Sequence, residues 1–134
     1  MKNYRLNAPV ELSVAADPGM MLVVRLTTAG VVTRAGLTIE AMDNLKIAAE
    51  EACSCLIGQE NPPKRICLKY EYRDGALITC VRGLDMQCEA CEACEADEAE
   101  LDVARCILEA LVDGVEFDMC NSRICAIELR SNLV

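Results

Sequence analysis

Across residues 58–63 the hydrophobic period of this chain switches from about 3.6 residues to 2, and that switch restricts the fold more than any other feature. Upstream, Met42, Leu45, Ala49, Ala52 and Leu56 recur at spacings of three and four, the stripe of an amphipathic helix, with Thr38 placed to cap its start. Gly58 and Asn61-Pro62-Pro63 interrupt the pattern. Downstream, Ile66, Leu68, Tyr70 and Tyr72 alternate with Arg65, Cys67, Lys69 and Glu71, as in a strand with one buried face. Asp74-Gly75 is a two-residue hairpin signal, and a second alternating run follows at 76–81. A helix with one apolar stripe beside a hairpin with one apolar face is solved by laying the helix on the sheet.

The flanking segments extend that arrangement. Residues 4–14 alternate loosely and predict a first strand at a sheet edge, because Pro9 cannot serve a central ladder. Asp17-Pro18 predicts an N-cap with Pro at the first helical position, and Met20, Met21, Val24, Leu26 and Val31 or Val32 continue a helix to about Ala35. Gly36 fits a left-handed cap there. Leu101, Ala104, Leu108 and Leu111, with Ile107 alongside, predict a third helix ended by Gly114, and residues 115–119 and 123–129 predict a closing hairpin. The expected fold is α+β, a two-layer α/β sandwich whose mostly antiparallel sheet is covered on one face by about three helices. A length of 134 residues suits a single domain spanning 1–134. Its core should be aliphatic, since hydrophobic residues make up 53% of the chain and aromatic ones only 3%.

Charge and composition exclude several functions. The net charge is −9, and eight carboxylates with no Lys or Arg fall between Asp85 and Asp102, so a basic nucleic-acid surface is disfavoured and a basic protein partner is favoured. Histidine is absent, which removes Ser-His and Cys-His catalysis and His-ligated zinc. Pro9 and Glu11 break any signal-peptide core, and the apolar run 20–24 is far too short to cross a membrane, so the expected location is cytoplasmic. Ten cysteines in such a setting are expected to be reduced. Cys67, Cys80, Cys106 and Cys125 lie in apolar periodic segments and are expected in the core.

Two segments carry a family resemblance. Residues 45–52, Leu-Lys-Ile-Ala-Ala-Glu-Glu-Ala, resemble the helix that bears the Glu and Asn of the anti-sigma-factor serine kinases, a branch of the GHKL (histidine-kinase-like ATPase) superfamily. Residues 107–115, Ile-Leu-Glu-Ala-Leu-Val-Asp-Gly-Val, resemble the helix and exit that follow the family's second glycine box. The resemblance implies a histidine-kinase-like fold, homodimerisation and partner switching. It places Glu51 at the catalytic base and Cys55 where the family has its Mg²⁺-binding Asn. The Asp-x-Gly-x-Gly box corresponds to 81–85, where only Gly83 survives, with Arg82 at the Asp position and Asp85 at the second Gly. The later Gly-x-Gly falls at Asp102 and Ala104, without either glycine. A thiol is a poor Mg²⁺ ligand, and Asp102 sets a carboxylate where phosphate would lie. ATP and Mg²⁺ are therefore disfavoured, and no cofactor is expected. Arg82 is a candidate to pair with Glu51 or Asp85 in the emptied pocket.

Cys88, Cys91 and Cys94 form Cys-x-x-Cys-x-x-Cys within an acidic lid at about 84–100. Three thiolates at this spacing suit an iron–sulfur cluster or Zn²⁺ once a fourth donor, such as Cys53, Cys55, Cys106 or Cys120, is brought close. The surrounding carboxylates oppose an anionic cluster there. The functional expectation is a bacterial regulatory pseudokinase that binds a sigma factor or its antagonist. The alternatives are a metal- or redox-sensing module built on the cysteine lid, and an active ATP-dependent serine protein kinase.

Overall fold

Strand β1, Val10–Ala15, begins directly after Pro9, and its burial alternates as an edge strand's should. In the computed structural model, which describes Leu6, residues 8–85 and residues 98–133, the order continues with α1 (Met21–Ala35), α2 (Ile39–Ile57), β2 (Arg65–Arg73), β3 (Ala76–Leu84), α3 (Glu98–Leu111), β4 (Gly114–Cys120) and β5 (Arg123–Asn132). The five strands form one sheet in the order β1-β2-β3-β5-β4, and every pairing among them is antiparallel. The two-layer α+β sandwich is thus the observed architecture, with β1 and β4 as its edges.

Local chemistry sets the element ends. Asp17 caps a short 3-10 turn, Pro18–Met20, by accepting from the Gly19 N–H at 2.9 Å, and the α-helix proper starts only at Met21. Gly36 takes φ 76° and returns its N–H to the last turn of α1, closing it as a left-handed cap. Thr38 Oγ1 accepts from the Ala41 N–H at 3.0 Å and starts α2. Asp74 and Gly75, at φ 51° and 76°, make the primed turn that matches the twist of the β2–β3 hairpin. Asn121 and Ser122, at φ 52° and 64°, make the corresponding turn of β4–β5 without any glycine. Gly114 does not cap α3, contrary to the sequence reading. The helix stops at Leu111, and Gly114 opens β4 opposite Arg130.

The covered face of the sheet carries Ile66, Leu68 and Tyr70 of β2, Leu77 and Val81 of β3, and Ile127 and Leu129 of β5. Against it lie Val24 and Val32 of α1, Leu45, Ala49, Ala52 and Leu56 of α2, and Leu108 of α3, all fully buried. Each buried Leu or Ile side chain contributes roughly 1.5–3 kcal/mol through burial. One polar pair crosses this core: Tyr70 Oη lies 2.7 Å from Thr28 Oγ1, which donates to the Val24 carbonyl at 2.8 Å. The opposite face is charged, with Lys69, Glu71, Arg73 and Glu128 in mutual ion pairs.

The cysteine expectation needs correction. Cys67, Cys80 and Cys125 are half-buried rather than core, and Cys106 and Cys120 are exposed, whereas Cys53 is completely buried. The reason is facing. Cys67 and Cys80 alternate onto the charged side of the sheet, and Cys106 stands about 200° around α3 from Ala104 and Leu108, its two buried neighbours. No helix among the described residues is long and apolar enough to cross a membrane.

Candidate functional site

The loop leaving α2 is fastened to the start of β5 by two side chains. Gln59 acts as a surrogate strand residue: its Oε1 accepts from the Ile124 N–H at 2.7 Å, and its Nε2 donates to the Ile124 carbonyl at 3.1 Å. These bonds extend the pairing of β5 past Arg82–Ala126, where its ladder with β3 ends. Arg123, only 6% exposed, donates through Nη2 to the Asn61 carbonyl at 2.9 Å. Cys125 is the extra residue of a β-bulge, since Asp118 faces Ala126 while Met119 faces Ile124.

Between this fastened loop, the last turns of α2 and the first turns of α3 lies a cleft of about 600 Å³. Glu51, Ser54 and Cys55 line it from α2, Glu100, Leu101, Val103 and Ala104 from α3, and Arg123 and Ile124 from β5. The i, i+4 spacing predicted for Glu51 and Cys55 does set them on one face, and that face is a wall of the cleft. Ala104 is buried in the opposite wall.

The remaining candidate positions fall elsewhere. Arg82 is exposed on the charged side of the sheet, because Val81 beside it points into the core, and it makes no ion pair with Glu51 or Asp85 among the described residues. Gly83 is half-buried opposite Ile66, and Asp85 is exposed at the end of β3 with φ 58°. None of the three is a lining residue of the cleft. Asp102 is exposed in the second turn of α3, between the lining residues Leu101 and Val103 but not itself lining. A helix starting at Glu98 leaves Asp102 and Ala104 beyond its N-terminal end rather than at it. Cys88, Cys91 and Cys94 lie outside the described residues. Among the described residues no group of three or more cysteines and carboxylates is arranged to hold a metal.

The electrostatics of the cleft follow from its lining. Burial, then the charge of Glu51, pushes the Cys55 thiol up to about 11, so at neutral pH it is a protonated, soft group. Behind it Cys53 is pushed up to about 12, chiefly by burial and secondarily by Glu50 and Cys55. Among the described residues, Glu51, Glu60 and Glu100 are the lining carboxylates and Arg123 is the lining cation. Gln59 and Arg123 had no local sequence signal, because each is held by a partner 65 or 62 positions away in the chain, and Glu100 enters the cleft only through the packing of α3 beside α2.

No family model matches the chain. Over 45 residues, 34% of its length, it is 42% identical to the serine-protein kinase RsbW of Bacillus velezensis and, equally, to that of Bacillus subtilis. The serine-protein kinase RsbW of Bacillus pumilus is 40% identical over the same length. The matched stretch spans 28% of each of these relatives.

Proposed function

We propose that this chain is a cytoplasmic regulatory protein of the anti-sigma-factor kinase type, of the GHKL superfamily, that acts by binding a sigma factor or an anti-sigma antagonist rather than by efficient phosphorylation. The observation that carries the reading is the Glu51–Cys55 wall. Glu51, which the resemblance puts at the base position, lines the cleft, and Cys55, at the position the resemblance gives to the Mg²⁺ ligand, presents a thiol that stays protonated at neutral pH. Mg²⁺ demands hard oxygen donors in near-octahedral geometry. Among the described residues, three lining carboxylates against one guanidinium also oppose a triphosphate. The lining residues therefore do not suit Mg-ATP, and the function assigned is pseudokinase binding. Partial similarity to the RsbW kinases supports the class, and α1 offers a surface for homodimerisation, with Leu22 and Leu26 exposed to 57% and 65%.

The test is to incubate the protein with Mg-ATP carrying a labelled γ-phosphate and candidate sigma factors and antagonists from its source. A stable complex without label on the partner is expected. Stoichiometric, Mg-dependent transfer of label to a partner serine would overturn the pseudokinase assignment and make Glu51 the base.

A further inference from the structure

Helical spacing carries both walls of the cleft beyond its lining residues. Gln59, just past α2, is bonded to Ile124 at the start of β5, and the first turns of α3 line the same cleft. At its other end α3 is followed by Asp113, whose N–H donates to Arg130 near the far end of β5 at 2.9 Å. The two helices therefore run antiparallel across the sheet. Ile47 lies one turn before Glu51 on the same face of α2, and Ile107 one turn after Val103 on the same face of α3, so both walls continue in one direction away from the cleft. The continuation is apolar and open: Ile47, Val103 and Ile107 are 53%, 60% and 40% exposed. From Ile47 to Gly58 the trough runs for about 16 Å, or three helical turns.

Its charge is one-sided. Glu51 and Glu100 line the cleft, and neither is in an ion pair among the described residues. Arg123 is almost wholly buried and donates to the Asn61 carbonyl, so its guanidinium is largely closed to direct contact with an incoming group while Glu51 and Glu100 line the cleft. We infer that the α2–α3 trough docks a basic amphipathic helix of a protein partner, with apolar side chains spaced three and four apart seated among Ile47, Val103 and Ile107, and with Lys or Arg side chains over Glu51 and Glu100. An amphipathic helix laid in a groove is a recurrent recognition mode whose anchors have this spacing. The chain's own stretch between Asp85 and Asp102 has the wrong sign, with eight carboxylates and no Lys or Arg. A second copy, at a net charge of −9, is disfavoured for the same reason. The inference rests on the reading of the cleft as a protein-binding rather than a nucleotide site.

The experiment uses three fluorescein-labelled 15-residue peptides and the full chain, followed by anisotropy at physiological salt. One peptide carries Leu at positions i, i+3, i+4, i+7 and i+11 with Lys elsewhere. The second has Glu in place of Lys, and the third has the Leu and Lys positions scrambled. Saturable binding of the first peptide alone is expected. It should weaken at least tenfold on Ile107→Asp or on Glu51→Lys with Glu100→Lys, and stay unchanged on Glu116→Lys, an exposed position of β4 outside the trough. Circular dichroism verifies that the variants fold, and Ile47→Ser is the milder substitute if Ile107→Asp does not. Equal binding of the scrambled peptide, or undiminished binding by the trough variants, overturns the inference. So does a dimer that the trough substitutions dissolve, since it would make a second copy the occupant. A parallel titration with Mg-ATP separates the two readings: no nucleotide and no peptide binding removes only the helix site, whereas micromolar nucleotide binding without peptide binding removes both.

Discussion

Replacing Thr28 by Val should destabilise the protein more than replacing Tyr70 by Phe, although the phenol is the larger group. Both residues are fully buried, and they share one hydrogen bond of 2.7 Å. Thr28 has a single hydroxyl proton, which goes to the Val24 carbonyl at 2.8 Å, so the proton between the two side chains must come from Tyr70. Tyr70→Phe removes that donor and leaves Thr28 bonded to Val24, a net loss of about 0.5–1.5 kcal/mol. Thr28→Val keeps the shape but takes away the phenol's acceptor, stranding a buried hydroxyl at about 1–3 kcal/mol. In the double variant neither group is polar, so its destabilisation should fall short of the sum by roughly 1 kcal/mol. Urea denaturation at pH 7, with the slope checked for constancy, reads all three. A Tyr70→Phe variant weaker than Thr28→Val, or a strictly additive double variant, would refute the assigned direction of the bond.

Two further predictions concern stability. Burial raises the Cys53 thiol from 9.0 to about 12 and the Tyr70 phenol from 10.0 to about 12, so both hold their protons more tightly folded than unfolded. Their contribution is complete below about pH 9 and is lost as pH rises toward 12, and urea midpoints should be flat from pH 7 to about 9 and then fall. A midpoint that rises above pH 9 would contradict the burial of these groups. Gly30 lies on the exposed side of α1, and a Cβ built there meets nothing within 4 Å. Gly30→Ala should therefore stabilise by about 0.5–1 kcal/mol, a Tm increase of roughly 2–6 °C by calorimetry. A decrease would mean that this side of α1 is covered in solution.

What could be read from the sequence was what rests on local period and local chemistry. The α2 stripe, the Asp74-Gly75 turn, the Thr38 and Gly36 caps and the alternation of β2 each depend on residues within one or two turns of each other, and each is present. The failures share the opposite cause. Cys106 sits in an apolar segment, but which side of α3 is buried is fixed by how the helix packs against α2 and β4, and Leu108 rather than Cys106 faces the core. Gly114 looked like a helix stop because glycine commonly is one, yet here the chain has already left the helix and entered β4. For the site, the helical spacing of Glu51 and Cys55 was legible, and the opposite wall at Ala104 was reached only through the family resemblance. Arg82, Gly83 and Asp85 were joined to the same site by that resemblance as well, and in the folded chain they lie at the end of β3 rather than in the cleft wall. Gln59 and Arg123 shape the cleft through partners 65 and 62 positions away, a relation no local pattern reveals.

The most direct test of the account is calorimetric titration of the metal-analysed protein, purified without oxygen, with ATP in the presence of Mg²⁺. A protonated thiol at Cys55 among the cleft carboxylates predicts no measurable heat at micromolar nucleotide and, at most, binding in the millimolar range. Saturable micromolar binding that disappears without Mg²⁺ would contradict it, returning the protein to the active kinases and the cleft to the nucleotide.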